Sequence, residues 1–169
     1  MYKKEYSLYP LIVTQGNYFV VIGGYEMQGF FQRYLLLYRP LISKLNELLG
    51  EYDLSYSLWQ VIHYVNNNDS TTLVDISNHY NLEKPSITRA VQRLEKKLIV
   101  KVIPGKDRRE KIIQLTDLGK EVYQICRQKI TELEYSVMEG IPEEEQNIAF
   151  QILPEIRNNI LKKEGNKHE

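Results

Sequence analysis

Residues 73–120 read LVDISNHYNLEKPSITRAVQRLEKKLIVKVIPGKDRREKIIQLTDLGK, and the order of parts in this stretch decides the fold. Leu73, Ile76 and Tyr80 have the spacing of a short helix, for which Thr72 is the expected N-cap. Ile87, Ala90, Val91 and Leu94 recur at helical spacing and form an apolar stripe on a second helix. Pro85 suits its first turn, where a missing N–H costs nothing. Next, Val100 to Pro104 and residues 110–115 are β-branched runs flanking Pro104-Gly105-Lys106-Asp107, which is turn chemistry.

Two short helices, a tight connection and a basic hairpin are the parts of a winged helix-turn-helix. Ser86, Thr88, Arg89, Gln92 and Arg93 fall on the faces of the second helix left free by the stripe. Small hydroxyls, Gln and Arg are the side chains that read base edges and phosphates. A solvated amphipathic helix would show the same pattern, so this helix alone does not decide between the two. Charge does. Residues 84–120 hold eleven basic and four acidic side chains, a net of +7, whereas the whole chain has 22 of each sign. A neutral chain that gathers its positive charge in one segment is built to dock a polyanion there. Lys106, Arg108 and Arg109 near the hairpin tip can reach the backbone or a narrow minor groove. Asp107 is placed to orient a neighbouring guanidinium. The plainer role for this tip is a solubilising hairpin.

Asp107-Arg108-Arg109, five residues, then Leu115-Thr116 resembles the D-x-R-x₅-L-T wing signature of the MarR (multiple antibiotic resistance regulator) family. SITRAVQRLEKK before it and LTDLGKEV after it are similar to that family's recognition helix and its entry into the next helix. The likeness covers roughly residues 27–163. It implies a homodimeric, bacterial winged-helix repressor or activator, of a kind often released from DNA by small lipophilic ligands or by oxidation. Leu98 departs from the pattern, standing where the family usually has Gly. That departure leaves the left-handed cap open, with the helix ending differently or running on slightly.

At 169 residues the chain is one domain-sized unit, with 43% hydrophobic and 26% charged residues, as in ordinary globular chains. One cysteine excludes an internal disulfide and suits a reducing cytoplasm. Alanine occurs only at Ala90 and Ala149, while Tyr, Asn, Ile and Lys abound, which points to an A/T-rich bacterial genome. Residues 1–26 look unlike the rest: two apolar runs, each too short to span a membrane, are divided by Thr14-Gln15-Gly16-Asn17. Gly23-Gly24-Tyr25-Glu26-Met27 can be encoded by GGAGGTTATGAAATG, a ribosome-binding sequence ahead of a start codon. Natural translation is therefore expected to begin at Met27; the competing reading is a genuine arm that packs across a dimer.

The expected architecture is mostly α with a small two- to three-stranded β wing. The helix-turn-helix spans about 72–97 and the wing about 99–116. Helices of about 27–49 and 116–163 form a dimerisation region, and 164–169 is a flexible tail. Phe30, Phe31, Tyr34, Leu35, Tyr38, Leu41, Ile42, Leu45 and Leu48 follow a helical period, with Pro40 expected to kink or split the helix. Leu118, Val122, Ile125, Ile130, Leu133 and Val137 line one side of a helix capped by Thr116. Ile148, Ile152, Ile156 and Ile160 mark the last helix, with Pro154 an expected kink. Such stripes at both ends would stay exposed in a monomer, which argues for a homodimer.

No enzyme constellation is visible, nor a cofactor motif. His63, His79 and His168 have no metal-ligand spacing among themselves or with Cys126, so no metal site is expected. Cys126 lies among Val122, Ile125 and Ile130 and reads as a small buried hydrophobe. Peroxide-sensing members of the resembled family carry a cysteine in the first helix, and this chain has none there. Phe31, Tyr34, Tyr38 and Trp59 are candidates for an effector pocket, although core and dimer packing is the commoner fate of such residues. The expected function is a dimeric repressor, relieved by a small lipophilic effector, on a pseudo-palindromic double-stranded operator. Candidates for base contact or for positioning the recognition helix are Ser86, Thr88, Arg89 and Gln92; candidate phosphate or groove contacts are Lys84, Arg93, Lys106, Arg108 and Arg109. Pro85 and Asp107 complete the candidate surface. The alternative is a winged-helix protein-interaction module that binds an acidic partner.

Overall fold

The computed structural model describes residues 13–14, 17–18, 29–68, 71–105 and 110–165. In chain order the elements are β1 (Val13–Thr14), β2 (Asn17–Tyr18), α1 (Phe30–Gly50), α2 (Tyr56–Asn66), β3 (Thr71–Thr72), α3 (Leu73–Tyr80), α4 (Lys84–Lys96), β4 (Val100–Pro104), β5 (Lys111–Leu115), α5 (Asp117–Met138) and α6 (Glu143–Gly165). The fold is mostly helical, with a three-stranded antiparallel sheet ordered β3-β5-β4. Val100 pairs with Leu115 and Pro104 with Lys111, while Thr71 pairs with Ile113. Near the N-terminus β1 and β2 form a small antiparallel pair, Val13 opposite Tyr18. The expected start at Met27 lies outside the described residues, as do the tip residues Lys106, Asp107, Arg108 and Arg109.

Hydrophobic burial centres on α2, whose Leu58, Trp59, Val61, Ile62 and Val65 are all buried. Ile76 of α3, the Ile87-Val91-Leu94 stripe of α4, Ile113 of β5 and Leu49 of α1 close around it. Side chains four and three apart on α4 thus hold it against the core and leave its opposite face to solvent.

Helices α1 and α6 run unbroken through Pro40 and Pro154, so α1 is not split at Pro40. A helical proline frees the carbonyl four residues back, here that of Leu36 or Phe150, and both residues are exposed, so water can meet it. The single stripe expected on α5 is divided. Gly119, Cys126 and Ile130 face the core, with Val122, Tyr123 and Leu133 packed against it, whereas Leu118, Ile125 and Val137 are exposed. Among the residues whose burial is described, the first half of α1 and α6 likewise hold no buried side chain.

Three helices end with the same device and none uses glycine. Asp53, Asn81 and Leu98 have φ of 52°, 52° and 61°. In each case the next residue's N–H reaches back over the last turn: Leu54 to Leu49 O, Leu82 to Ser77 O and Ile99 to Leu94 O, all at 3.0 Å. The left-handed cap at Leu98 is therefore kept without the glycine. Burial of the following Ile99 against Leu94 holds it, at the cost of a strained Leu side chain. Leu98 is 68% exposed, so removing it forfeits little packing. Leu98→Gly is expected to raise the melting temperature by a few degrees, from about 1 kcal/mol of relieved strain. Calorimetry checks this; a lowered melting temperature would contradict the strain account.

Candidate nucleic-acid interface

Local capping sets the geometry of the helix pair. Asp75 N–H donates to Thr72 Oγ1 at 3.3 Å and Thr72 N–H to Asp75 Oδ2 at 2.9 Å, which closes a capping box at the start of α3. Buried Ser77 donates its hydroxyl to Leu82 O at 2.5 Å and so locks the turn into α4. Helix α4 then begins at Lys84, with Pro85 in its first turn and Glu83 as N-cap.

Lys84, Pro85, Ser86, Arg89, Gln92 and Arg93 are exposed together on α4. Among the described residues no hydrogen bond restrains the side chains of Ser86, Arg89 or Gln92, so their donors and acceptors are available to a ligand. Thr88 differs. It is half-buried and donates back to Lys84 O at 2.9 Å, a bond that engages the hydroxyl within the helix. Thr88 and Gln92 also line a groove of about 370 Å³ between α4 and the wing, together with Glu95, Val102, Glu110 and Lys111. The hairpin closes where Gly105 N–H meets Glu110 O at 2.8 Å.

One cation of the basic segment is engaged elsewhere. Lys97, just past α4, makes an ion pair with Asp53 in the α1–α2 turn. The hydrogen bond and charge of Lys97, with a smaller contribution from Arg93, hold the Asp53 carboxyl below its usual range. Forty-four residues separate the partners, so spacing could not reveal the contact. Being exposed, the pair orients the helix end more than it stabilises the fold.

The four candidate pocket residues divide into separate sets. Tyr34 and Tyr38 stack at 6.0 Å on α1, and Phe31, 70% exposed, meets Phe30 edge-on at 5.6 Å. Trp59 is 5% exposed and stacks on Tyr123 at 5.3 Å instead. Among the described residues no ring contact joins Trp59 to the α1 aromatics. Cys126 is fully buried, and desolvation pushes its thiol up to about 11, which disfavours the reactive thiolate.

His63 completes the stack on Tyr123, with ring centroids 6.1 Å apart. Among the described residues its buried Nδ1 has no hydrogen-bond partner, and its Nε2 lies 3.3 Å from Asn67 Nδ2. Burial, then the charges of Arg127 and His79, lower its pKa against a small opposing effect of Glu134. The unfolded chain therefore takes up a proton before the folded one does. Stability is complete above the ordinary histidine value of about 6.5 and is lost as pH falls from there through the lowered folded value. Melting temperatures at pH 7.5 and pH 5.5 should differ less for His63→Gln than for the wild type; equal differences would remove His63 as the cause.

The geometry has counterparts among known proteins. The chain matches the MarR family over residues 54–111. An HTH-type transcriptional regulator of Staphylococcus aureus is 26% identical over 142 residues, covering 82% of this chain and 97% of that protein. The solved structure of S. aureus MarR in complex with salicylate and kanamycin superposes with a TM-score of 0.73 at 25% identity, over 80% of this chain and 92% of that one. S. aureus MepR in its DNA complex shares the fold, with a TM-score of 0.71 at 18% identity, over 78% and 97% of the two chains.

Proposed function

We propose that the chain is a DNA-binding winged helix-turn-helix transcriptional regulator of the MarR family, a reading its likenesses support, and that it works as a homodimeric repressor of a pseudo-palindromic operator. The observation that carries this reading is the exposed, internally unrestrained face of α4 bearing Lys84, Ser86, Arg89 and Gln92. Arg89 and Gln92 offer bidentate donor and acceptor sets suited to guanine and adenine edges, and Ser86 at the helix start supports them. Lys84 and Arg93 meet phosphates, as do Lys106, Arg108 and Arg109 of the wing tip. Thr88 positions the helix start through Lys84 O rather than reading a base.

A second copy of the chain is the natural cover for the apolar surface of α1, α5 and α6. Phe31, Leu36, Leu37, Leu118, Ile148, Phe150 and Leu153 are all exposed, far more than a monomer leaves bare. Two recognition helices then fall about one helical turn of DNA apart. Among the described residues no helix is long and apolar enough to cross a membrane. Salicylate bound to S. aureus MarR supports a small aromatic effector, and the exposed Tyr34–Tyr38 stack on α1 offers it a surface. Release requires that the effector favour a helix spacing that the operator does not fit.

Fluorescence anisotropy of purified protein, on duplex from just upstream of its own gene and on a scrambled duplex, tests the reading across a salt series. Tight, selective binding with a steep negative salt slope supports it. Weak, equal binding to both duplexes rejects it and turns attention to an acidic protein partner.

A further inference from the structure

A hydrogen bond links helix α6 to the helix-turn-helix. Arg157 Nη2 donates to His79 O at 3.0 Å, across 78 residues of sequence. Among the described residues this is the one hydrogen bond from α6 to α3, α4 or the wing; its others, from Gln146, stay within the turn from α5. The acceptor is apt. His79 lies in the last turn of α3, where carbonyls lack partners within the helix and the dipole is negative. Asn81 N–H takes Asn78 O and Leu82 N–H takes Ser77 O, and neither reaches His79 O. A guanidinium at that oxygen is thus a charge-assisted C-cap supplied by a distant helix.

The same end of α3 is held from a second side. Tyr80 donates its hydroxyl to Gln60 O at 3.0 Å, and the His79 ring lies 4.8 Å from Tyr64 and 4.7 Å from Tyr80. Tyr80 thus fixes α3 to α2 within the winged lobe, while Arg157 fixes it to α6. Only residues 81–83 separate this end from α4, so its position is passed directly to the recognition helix.

We propose that Arg157 is a positioning residue for DNA binding: by capping α3 from α6, it ties the placement of the recognition helix to the dimerisation region. This rests on the DNA-binding, dimeric reading above. Arg157 touches no DNA in this scheme. Its loss broadens the range of recognition-helix positions and lowers affinity without removing a phosphate contact.

Full-length wild type, Arg157→Ala and Arg157→Lys are compared by anisotropy on the upstream duplex across a salt series. Arg157→Ala should bind about fivefold more weakly with an unchanged salt slope, and Arg157→Lys should recover most of the loss. Unchanged affinity, or a slope flattened by about one unit, overturns the proposal; the latter marks a phosphate contact. Amide hydrogen exchange of the DNA-free proteins tests the tie independently. Exchange across residues 78–83 should quicken in Arg157→Ala and be slowed again in Arg157→Lys, and identical exchange in all three overturns it. Should wild type fail to select any duplex, the DNA-binding reading falls, and the positioning role falls with it whatever the exchange shows.

Discussion

Replacing Gly119 with alanine should lower the melting temperature by roughly 10 °C, corresponding to about 3 kcal/mol of overpacking. A Cβ at this position would stand 2.0 Å from Ile99 O, 3.0 Å from Ile99 C and 3.4 Å from Leu115 Cβ. Backbone, not a flexible side chain, blocks it. Nor can the Ile99 carbonyl withdraw freely, because it accepts from Thr116 N–H at 3.1 Å, and the Thr116 hydroxyl holds the neighbouring Leu98 O at 2.5 Å. The same Thr116 hydroxyl accepts from Gly119 N–H at 3.0 Å as the cap of α5. Pushing α5 away would therefore loosen the seam between the wing and the helix after it. Gly50→Ala is the control: nothing lies within 4 Å of a Cβ there, so alanine should be neutral or slightly stabilising. Thermal melts of the two variants that match each other would refute the close-approach argument.

Arg89→Ala should weaken binding to the preferred duplex by roughly ten- to a hundredfold, the worth of a bidentate base contact, while binding to scrambled DNA changes much less. Arg89 is exposed on α4, so the substitution should leave the melting temperature nearly unchanged. Equal losses on both duplexes would show that Arg89 holds a phosphate instead. Lys106→Ala should behave differently, weakening all sequences alike and flattening the salt slope by about one unit. The two variants together separate reading from docking.

Much of the interface is legible from local sequence because local physics builds it. Thr72 and Thr116 cap the helices beside them, and the Ile87-Val91-Leu94 stripe orients α4 by a 3.6-residue period. Where the chain must meet distant partners, local patterns were less informative. Absence of glycine at residue 98 suggested a different helix end, yet packing of Ile99 enforces the left-handed turn on Leu98. Trp59 is a candidate for either an effector pocket or core packing, and only the fold shows that Tyr123 of α5 takes its ring face. Thr88 carries a hydroxyl of the right kind on the right helix, and its bond to Lys84 O engages it.

Helix period, turn residues and charge are properties of neighbours along the chain, so a winged helix-turn-helix with a concentrated positive segment is legible without coordinates. Which of those charges stay available, why residue 119 must be glycine, and how α6 grips the end of α3 emerge from packing alone. Lys97 finds Asp53, Gly119 meets Ile99 O and Arg157 meets His79 O across 44, 20 and 78 positions. No periodicity encodes such pairings; they exist only once the hydrophobic core has brought the helices together.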